Sequence, residues 1–136
     1  MIVVDTGVIY AAADTADADH GSCRHLLETH PGPLLVPTPV VVESAWLIES
    51  RPGPTAEAAF LRAVNAGDLT RADLTDVDWH RAADLVETYA DLRLGLVDAS
   101  VVAVAERLSV TSLATLNGRD FRVVRPAHAD AFTLYP

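Results

Sequence analysis

Short apolar runs alternate with longer amphipathic stretches along the chain, and turn or capping residues stand at most of the changes between them. Short strands are predicted over residues 2–4, 34–36, 111–115 and 132–135, the last of them at a sheet edge, and over residues 68–74 after the break at Gly67. Helices are predicted between them, over residues 5–13, 20–30, 38–51 and 55–66, after the capping sequence at 75–78, and again after residue 98. This alternation is typical of an α/β fold with a short, mostly parallel sheet that is covered on both faces.

Three polar residues mark the starts of predicted helices. Thr38 stands before Pro39, which favours Thr38 as a cap with proline at the first helical position. Thr75 and Asp78 have the spacing of a capping box. Asp98 follows an apolar run, and we expect it to cap the helix that comes next.

The helix predicted over residues 38–51 carries an acidic residue on its apolar face. Glu43 shares that face with Val40, Trp46 and Leu47, so we expect it to be buried. An ionised carboxylate in apolar surroundings is costly unless it is paired or bound to a metal. A buried ion pair with an arginine and a bound cation are the two alternatives for Glu43.

Composition narrows the class of protein. The chain has 136 residues, 50% of them hydrophobic and 21% charged, which excludes disorder and predicts one domain over residues 1–136. Cys23 is the only cysteine, so no internal disulfide forms and a cytoplasmic location is expected. No apolar run approaches the roughly 20 residues that cross a bilayer, so no membrane partner is expected.

The net charge of −9 is unusual for a protein that binds nucleic acid. All ten of its fixed side-chain cations are arginines, which suit bidentate contacts to phosphate or carboxylate. The acid excess lies within residues 1–100, which suits a basic partner, although net charge by itself can reflect solubility alone.

Three acidic residues stand at the edges of apolar segments far apart in the sequence: Asp5, Glu43 and Asp98. Functional groups collect at the carboxyl ends of strands in an open parallel sheet. Helix capping explains Asp5 or Asp98 alone but leaves Glu43 without a cause. A shared cation accounts for all three, and oxygen ligands favour Mg²⁺ or Mn²⁺ over Zn²⁺.

Four stretches together resemble the motifs of PIN-domain proteins. In order they are residues 3–11 (VVDTGVIYA), 41–45 (VVESA), 94–99 (LGLVDA) and 115–121 (TLNGRDF). Their spacing, the chain length and the closing residues are similar to the VapC toxins of bacterial VapBC toxin–antitoxin pairs. The resemblance covers the whole chain and implies a PIN-like three-layer α/β/α sandwich.

The resemblance also implies a function. It implies a Mg²⁺- or Mn²⁺-dependent ribonuclease that cuts RNA, often transfer or ribosomal RNA, and leaves a 5′-phosphate and a 3′-hydroxyl. Asp5, Glu43 and Asp98 would be the catalytic residues that hold the metal, and Thr6 would orient Asp5, a bound water or the substrate. The expected partners are a cognate VapB antitoxin and a second copy of the chain, with the helices within residues 38–66 as the candidate interface.

The fourth motif departs from the family pattern, because Asn117 stands where VapC-like proteins commonly carry Asp. Asparagine keeps a carbonyl oxygen but loses the charge, so a second metal would bind more weakly there. Asp120, one helical turn on, is a candidate substitute ligand, directly or through water. Because Asn117-Gly118 is also a common turn dipeptide, the sequence leaves open whether one metal binds or two.

The arginines next to this motif, Arg119, Arg122 and Arg125, are candidates to hold RNA phosphates, with solvated surface residues as the alternative. Trp46 and Trp79 are expected in the core or at an interface rather than as platforms for base stacking.

Two other classes of function remain as alternatives. The first is a non-catalytic PIN domain that binds RNA or protein, and the residue that supports it is Asn117. A strand-end aspartate also occurs in dehalogenase-like phosphatases and receiver domains, but Gly7 stands where the phosphatases need a second Asp, and the chain lacks the lysine of a receiver. A zinc site at His20 and Cys23 is disfavoured because no second ligand pair accompanies them.

Overall fold

The structure is a computed structural model that describes residues 1–136. Its five strands are β1 Ile2–Val4, β2 Leu34–Pro37, β3 Thr70–Ala72, β4 Ser112–Ala114 and β5 Thr133–Tyr135. Its seven α-helices are α1 Thr6–Ala13, α2 His20–Thr29, α3 Thr38–Ser50, α4 Pro54–Ala66, α5 Asp76–Thr88, α6 Leu96–Arg107 and α7 Gly118–Val123. Each predicted strand is present, although β3 is shorter than the predicted 68–74.

The strands form one sheet in the order β3-β2-β1-β4-β5, and every neighbouring pair is parallel. In this register Val3 of the central strand lies between Leu35 of β2 and Leu113 of β4. The predicted edge strand is β5, which pairs only with β4. The mostly parallel sheet expected from the sequence is therefore confirmed.

The central strand shows that both faces of the sheet are covered. Ile2, Val3 and Val4 are each 0% exposed. Because successive strand residues point to opposite faces, burial of all three requires helices on both sides. The three-layer α/β/α arrangement predicted for the chain is confirmed. None of the helices is long and apolar enough to span a membrane.

Two of the three predicted helix starts are wrong in detail. Thr38 is the first residue of α3 rather than its cap, and its hydroxyl donates to Asp73 Oδ1 at 2.6 Å, tying this helix to the end of β3. Asp98 is not a cap either, since α6 begins two residues earlier, after Gly95. The capping box of Thr75 and Asp78 is confirmed by both of its reciprocal hydrogen bonds, of 3.0 and 3.2 Å.

The predicted buried face of α3 is correct for Val40 but wrong for Glu43 and Trp46. The buried residues of this helix are Val40, Val41, Ser44 and Ile48. Glu43 is only half-buried, and Trp46, which lies one turn further along the same face, is 68% exposed. Trp79 is 51% exposed, so neither tryptophan belongs to the core. The face that carries Glu43 borders surface cavities instead.

Candidate functional site

The candidate site lies where β1 and β4 end, side by side in the middle of the sheet. From β1 the chain adds β2 and β3 on one side of the sheet, and it later returns to place β4 and β5 on the other side of β1. This reversal leaves a crevice at the carboxyl ends of the two strands, the usual place for functional groups in parallel sheets. Asp5 follows β1 and Thr115 follows β4.

Asp5 is held rigidly in this crevice. Its Oδ1 accepts a hydrogen bond from the backbone N–H of Thr6 at 2.8 Å, and its Oδ2 accepts one from the hydroxyl of Thr115 at 3.0 Å. The Thr115 oxygen in turn accepts the backbone N–H of Asn117 at 2.9 Å. Asp5 is only 6% exposed, so these bonds fix the direction of the carboxylate.

Thr115 was not among the site residues predicted from the sequence. It lies 110 positions from Asp5, and only the parallel register that pairs Val4 with Ala114 brings the two residues together. A signal was nevertheless present, because a polar residue directly after one buried strand is expected to meet the polar residue after its neighbour.

Two helices bring the other predicted carboxylates to Asp5. Glu43 comes from α3 and Asp98 from the first turn of α6. Both line a cavity of about 370 Å³ that is also lined by Asp5. The complete lining is Asp5, Thr6, Gly7, Tyr10, Glu43, Leu47, Asp98, Leu116 and Asn117. The structure thus places around one cavity the three acids that the sequence singled out.

The electrostatics of the cavity reflect its concentration of negative charge. The pKa of Asp98 is raised to about 7, mainly by burial and then by repulsion from Asp5, Asp120 and Glu43. Burial also raises the pKa of Asp5, although the hydrogen bonds from Thr6 and Thr115 oppose that shift. Protonation of Asp98 is one way for this pocket to relieve its charge.

No arginine relieves the charge at Glu43. The ion pairs of the molecule join Arg24 to Glu28, Arg71 to Asp73, Arg81 to Glu106, Arg107 to Asp78 and His80 to Asp84. None of them includes Glu43, Asp5 or Asp98, so the alternative of a buried ion pair at Glu43 does not hold. The acidic cavity lacks a counter-charge from the protein.

The donor set of the cavity fits a hard divalent cation. Its candidate ligands are carboxylate oxygens and the amide of Asn117, which are the oxygen donors that Mg²⁺ and Mn²⁺ prefer. The hydroxyl of Thr6 is buried and has no hydrogen-bond partner, which is uncommon for a buried polar atom. No three acidic, histidine or cysteine side chains already stand in a ligand arrangement, so an ion would have to draw the carboxylates together.

The fourth motif forms one wall of the cavity. Asn117 lines it, and its Nδ2 donates to Asp120 Oδ2 at 3.0 Å, which leaves the carbonyl oxygen of Asn117 for another partner. Asp120 does not line the cavity, but it lies close enough to raise the pKa of Asp98. The two residues predicted as alternative ligands are therefore coupled to each other.

The arginines of this region lie outside the acidic cavity. Arg119, Arg122 and Arg125 are all exposed. The guanidinium of Arg122 packs over the start of α7, since a Cβ added at Gly118 would lie 3.2 Å from its Nη1. This position forms a basic rim beside Asn117, but none of the three arginines reaches into the cavity lining.

Comparison with known proteins agrees with this geometry. The PIN domain family matches residues 2–125. Ribonuclease VapC26 of Mycobacterium tuberculosis is 32% identical over 135 residues, which cover 99% of this chain and 100% of that protein. The crystal structure of Mycobacterium tuberculosis VapC20, a toxin that cleaves the sarcin-ricin loop, has the same fold, with a TM-score of 0.85 at 22% identity over 96% of this chain and 99% of that one. The chain belongs to the PIN-domain family and is of the VapC type.

Proposed function

We propose that this chain is a Mg²⁺- or Mn²⁺-dependent endoribonuclease toxin that hydrolyses phosphodiester bonds of RNA. The observation that carries the proposal is the cavity lined by Asp5, Glu43 and Asp98, which lacks any cationic side chain. The relative named ribonuclease VapC26, which matches over nearly the whole chain, supports RNA as the substrate.

The three carboxylates of the cavity have different roles in binding the ion, because their surroundings differ. Asp5, fixed by Thr6 and Thr115, supplies the rigid ligand, whereas Glu43 and Asp98 approach from helices and can adjust to the ion. When bound, a divalent cation supplies charge that stabilises the transition state of phosphodiester hydrolysis and activates water. Because the pKa of Asp98 is about 7, this residue must lose its proton before it can serve as a ligand at neutral pH.

Cleavage of purified RNA tests the proposal. The wild-type protein with Mg²⁺ or Mn²⁺ should cut transfer or ribosomal RNA and leave 5′-phosphate ends, and EDTA should abolish the cleavage. Asp98→Asn should lose at least about a hundredfold in rate, whereas Asp68→Asn, at an exposed acid outside the cavity, should not. Equal trace cleavage by wild type and Asp98→Asn would remove the nuclease proposal.

A second candidate function rests on Asn117. Its neutral amide lines the cavity where VapC-like proteins commonly carry a carboxylate, which favours a PIN domain that binds RNA without cutting it. An inactive wild type whose Asn117→Asp variant gains metal-dependent cleavage would support this function. Full activity of the wild type would exclude it.

We propose a cognate VapB-type antitoxin as the partner that holds the toxin inactive in the cytoplasm. The net charge of −9 and the acidic cavity favour a partner segment that carries arginine or lysine. A search for a small reading frame beside the gene, followed by co-expression of its product with this chain, tests this pairing. Co-purification and loss of cleavage would support it, and unaltered activity in the presence of that product would contradict it.

We propose that the active form is a homodimer. An apolar groove of about 620 Å³ lies between α3, the start of α5 and the start of α6, and includes Val42, Trp79 and Leu96. No residue of α4 lines it, so of the helices within 38–66 only α3 takes part. Trp79→Asp should shift the molecular mass measured by light scattering from dimer to monomer, and a wild type already monomeric would refute the proposal.

A further inference from the structure

A side cavity of about 250 Å³ adjoins the acidic cavity. It is lined by Tyr10, Trp46, Leu47, Ser50 and Arg51. Tyr10 and Leu47 line both cavities, so the two form one continuous depression that leads from the carboxylates along α3. We call the smaller part the Trp46 subsite.

The Trp46 subsite presents an indole on a rigid helix. Trp46 lies one turn after Glu43 and one turn before Ser50, on the same face of α3, and its side chain is largely exposed. Across from it, the hydroxyl of Tyr10 donates to Asp14 Oδ2 at 2.7 Å, which fixes the position of the tyrosine ring. The subsite therefore offers an accessible aromatic surface beside the acidic centre.

Arg51 adds a positive charge at the end of α3. Its guanidinium lies near Asp14, whose pKa is lowered mainly by the hydrogen bond from Tyr10 and in smaller part by Arg51, but it makes no ion pair with any carboxylate. Four arginines, Arg24, Arg71, Arg81 and Arg107, are each paired with an acid, and of the six that are not, only Arg51 lines the Trp46 subsite. An arginine without a paired carboxylate can bind phosphate without first breaking an ion pair.

We propose that the Trp46 subsite binds the nucleotide next to the scissile phosphate, with its base stacked on Trp46 and its phosphate held by Arg51. This inference rests on the proposed ribonuclease function and adds a substrate requirement to it. A base can lie flat on an indole only when it is unstacked from its own neighbours. The enzyme should therefore act on single-stranded loops or ends rather than on duplex RNA.

The arginine beside Trp46 favours a nucleotide over a second copy of the chain at this place. Trp46 also borders the apolar groove that includes Val42 and Trp79. On its other side, however, Trp46 lines the subsite together with Tyr10, Ser50 and Arg51. The hydroxyls of Tyr10 and Ser50 already donate to Asp14 and to the backbone oxygen of Leu47, so Arg51 is the lining residue that supplies a charged donor. A tryptophan flanked by an arginine is the combination that binds single-stranded nucleic acid through stacking and phosphate contacts.

Tryptophan fluorescence tests the stacking directly, because the chain has only two tryptophans. In a Trp79→Phe protein that also carries Asp98→Asn to prevent cleavage, Trp46 is the sole indole. A short single-stranded RNA oligonucleotide of mixed sequence should quench its fluorescence saturably, and the same sequence in a duplex should not. The matched Trp46→Phe protein, in which Trp79 reports, should show little quenching.

Binding affinity tests the two contacts separately. Trp46→Ala should weaken binding of the single-stranded oligonucleotide on the order of tenfold, and Trp46→Phe should recover part of that loss. Arg51→Gln should weaken binding and lower the slope of log affinity against log salt by about one, with partial recovery in Arg51→Lys. Arg62→Gln, at an exposed arginine of α4 outside the subsite, should leave both quantities unchanged.

The outcomes separate this inference from the proposed function. If the wild type cleaves RNA but Trp46→Ala and Arg51→Gln bind the oligonucleotide normally, the subsite is refuted and the nuclease stands. If the wild type does not cleave RNA but quenching and the affinity losses are seen, the nuclease fails and the subsite survives as an RNA-binding site. Loss of the dimer in Trp46→Ala without any loss of RNA affinity would assign Trp46 to the protein interface and overturn the inference.

Discussion

The pKa of Asp98 makes the acidic cavity a source of instability in the metal-free protein. Its pKa of about 7 in the folded chain lies above the ordinary value of 3.8, so the folded state binds this proton more tightly than the unfolded state does. The stabilisation from protonated Asp98 is complete below about pH 4 and is lost as the pH rises through 7. Above that pH, the folded protein carries an ionised acid that its surroundings disfavour.

Asp98→Asn should therefore stabilise the protein in EDTA at about pH 8. We expect a gain of about 1–2 kcal/mol in the free energy of unfolding, since the side chain is only partly buried and solvent screens its charge. The gain should shrink as the pH falls and be small at about pH 4.5. Urea unfolding of both proteins at the two pH values measures it, and an equal difference at both would contradict the assigned cause.

Thr115 controls the direction of the Asp5 carboxylate. Thr115→Val removes the hydroxyl that donates to Asp5 and accepts the N–H of Asn117, so the metal affinity should fall about 10- to 100-fold. Thr115→Ser keeps the hydroxyl and should recover most of the affinity. Calorimetric titration with Mn²⁺ measures the affinities of both variants. A Thr115→Val variant that binds Mn²⁺ like the wild type would show that this hydrogen bond does not contribute to metal binding.

The candidate ligands could be predicted from the sequence, and so could Thr6 beside Asp5, whereas Thr115 and Tyr10 could not. Asp5 and Asp98 are visible because a carboxylate beside an apolar run is conspicuous in the sequence itself. Thr115 and Tyr10 are ordinary residues of a strand end and a helix, and they join the site only through the pairing of β1 with β4 and the packing of α1 near α3. Local pattern does not determine such long-range neighbours.

At the scale of elements, α3 shows what a hydrophobic pattern can and cannot predict. Its start and end agree with the sequence to within one residue. Its buried face does not, because Val42 and Trp46 are exposed apolar residues that fit the same helical period as the core. A period of 3.6 residues identifies apolar stripes, but it does not distinguish a stripe that faces the sheet from one that borders a cavity.

Two ion pairs join α5 to α6, Arg81 to Glu106 and Arg107 to Asp78, and Asp78 is the more deeply buried of the two acids. Asp78 is 1% exposed, accepts the N–H of Thr75 in the capping box, and pairs with Arg107 Nε of α6 at 2.9 Å. Asp78→Ala should destabilise the protein by about 2–4 kcal/mol, because it removes one of the two capping-box hydrogen bonds and leaves Arg107 without its carboxylate partner.

Thermal unfolding measures this loss. Asp76→Ala, at an exposed position in the same first turn, is the matched control and should cost less than about 1 kcal/mol. A smaller loss in Asp78→Ala than in Asp76→Ala would show that this junction does not depend on the buried ion pair. RNA cleavage by the folded Asp78→Ala protein should match the wild type, since Asp78 lies outside the acidic cavity.

For the whole molecule, the sequence predicted the class of fold but not the order of its strands. Strands of only three or four residues carry too little pattern to say which of them pair. The order β3-β2-β1-β4-β5 puts β1 at the centre and β4 beside it, and this order creates the crevice for Asp5. Helices α3 and α6, which are far apart in the sequence, then supply Glu43 and Asp98. The site therefore exists only in the complete fold.

A site assembled from three separate elements links ion binding to the stability of the entire fold. A cation that binds only the folded state adds about 2.7 kcal/mol to the free energy of unfolding when present at 100 times its dissociation constant. Mg²⁺ or Mn²⁺ should therefore raise the melting temperature of the wild type by several degrees, measured by differential scanning calorimetry without any RNA. Glu43→Gln should lose most of this increase, whereas Glu49→Gln, at an exposed acid of the same helix, should keep it. Glu43 lines the acidic cavity and Glu49 does not. An equal increase in both variants would therefore mean that the ion binds elsewhere.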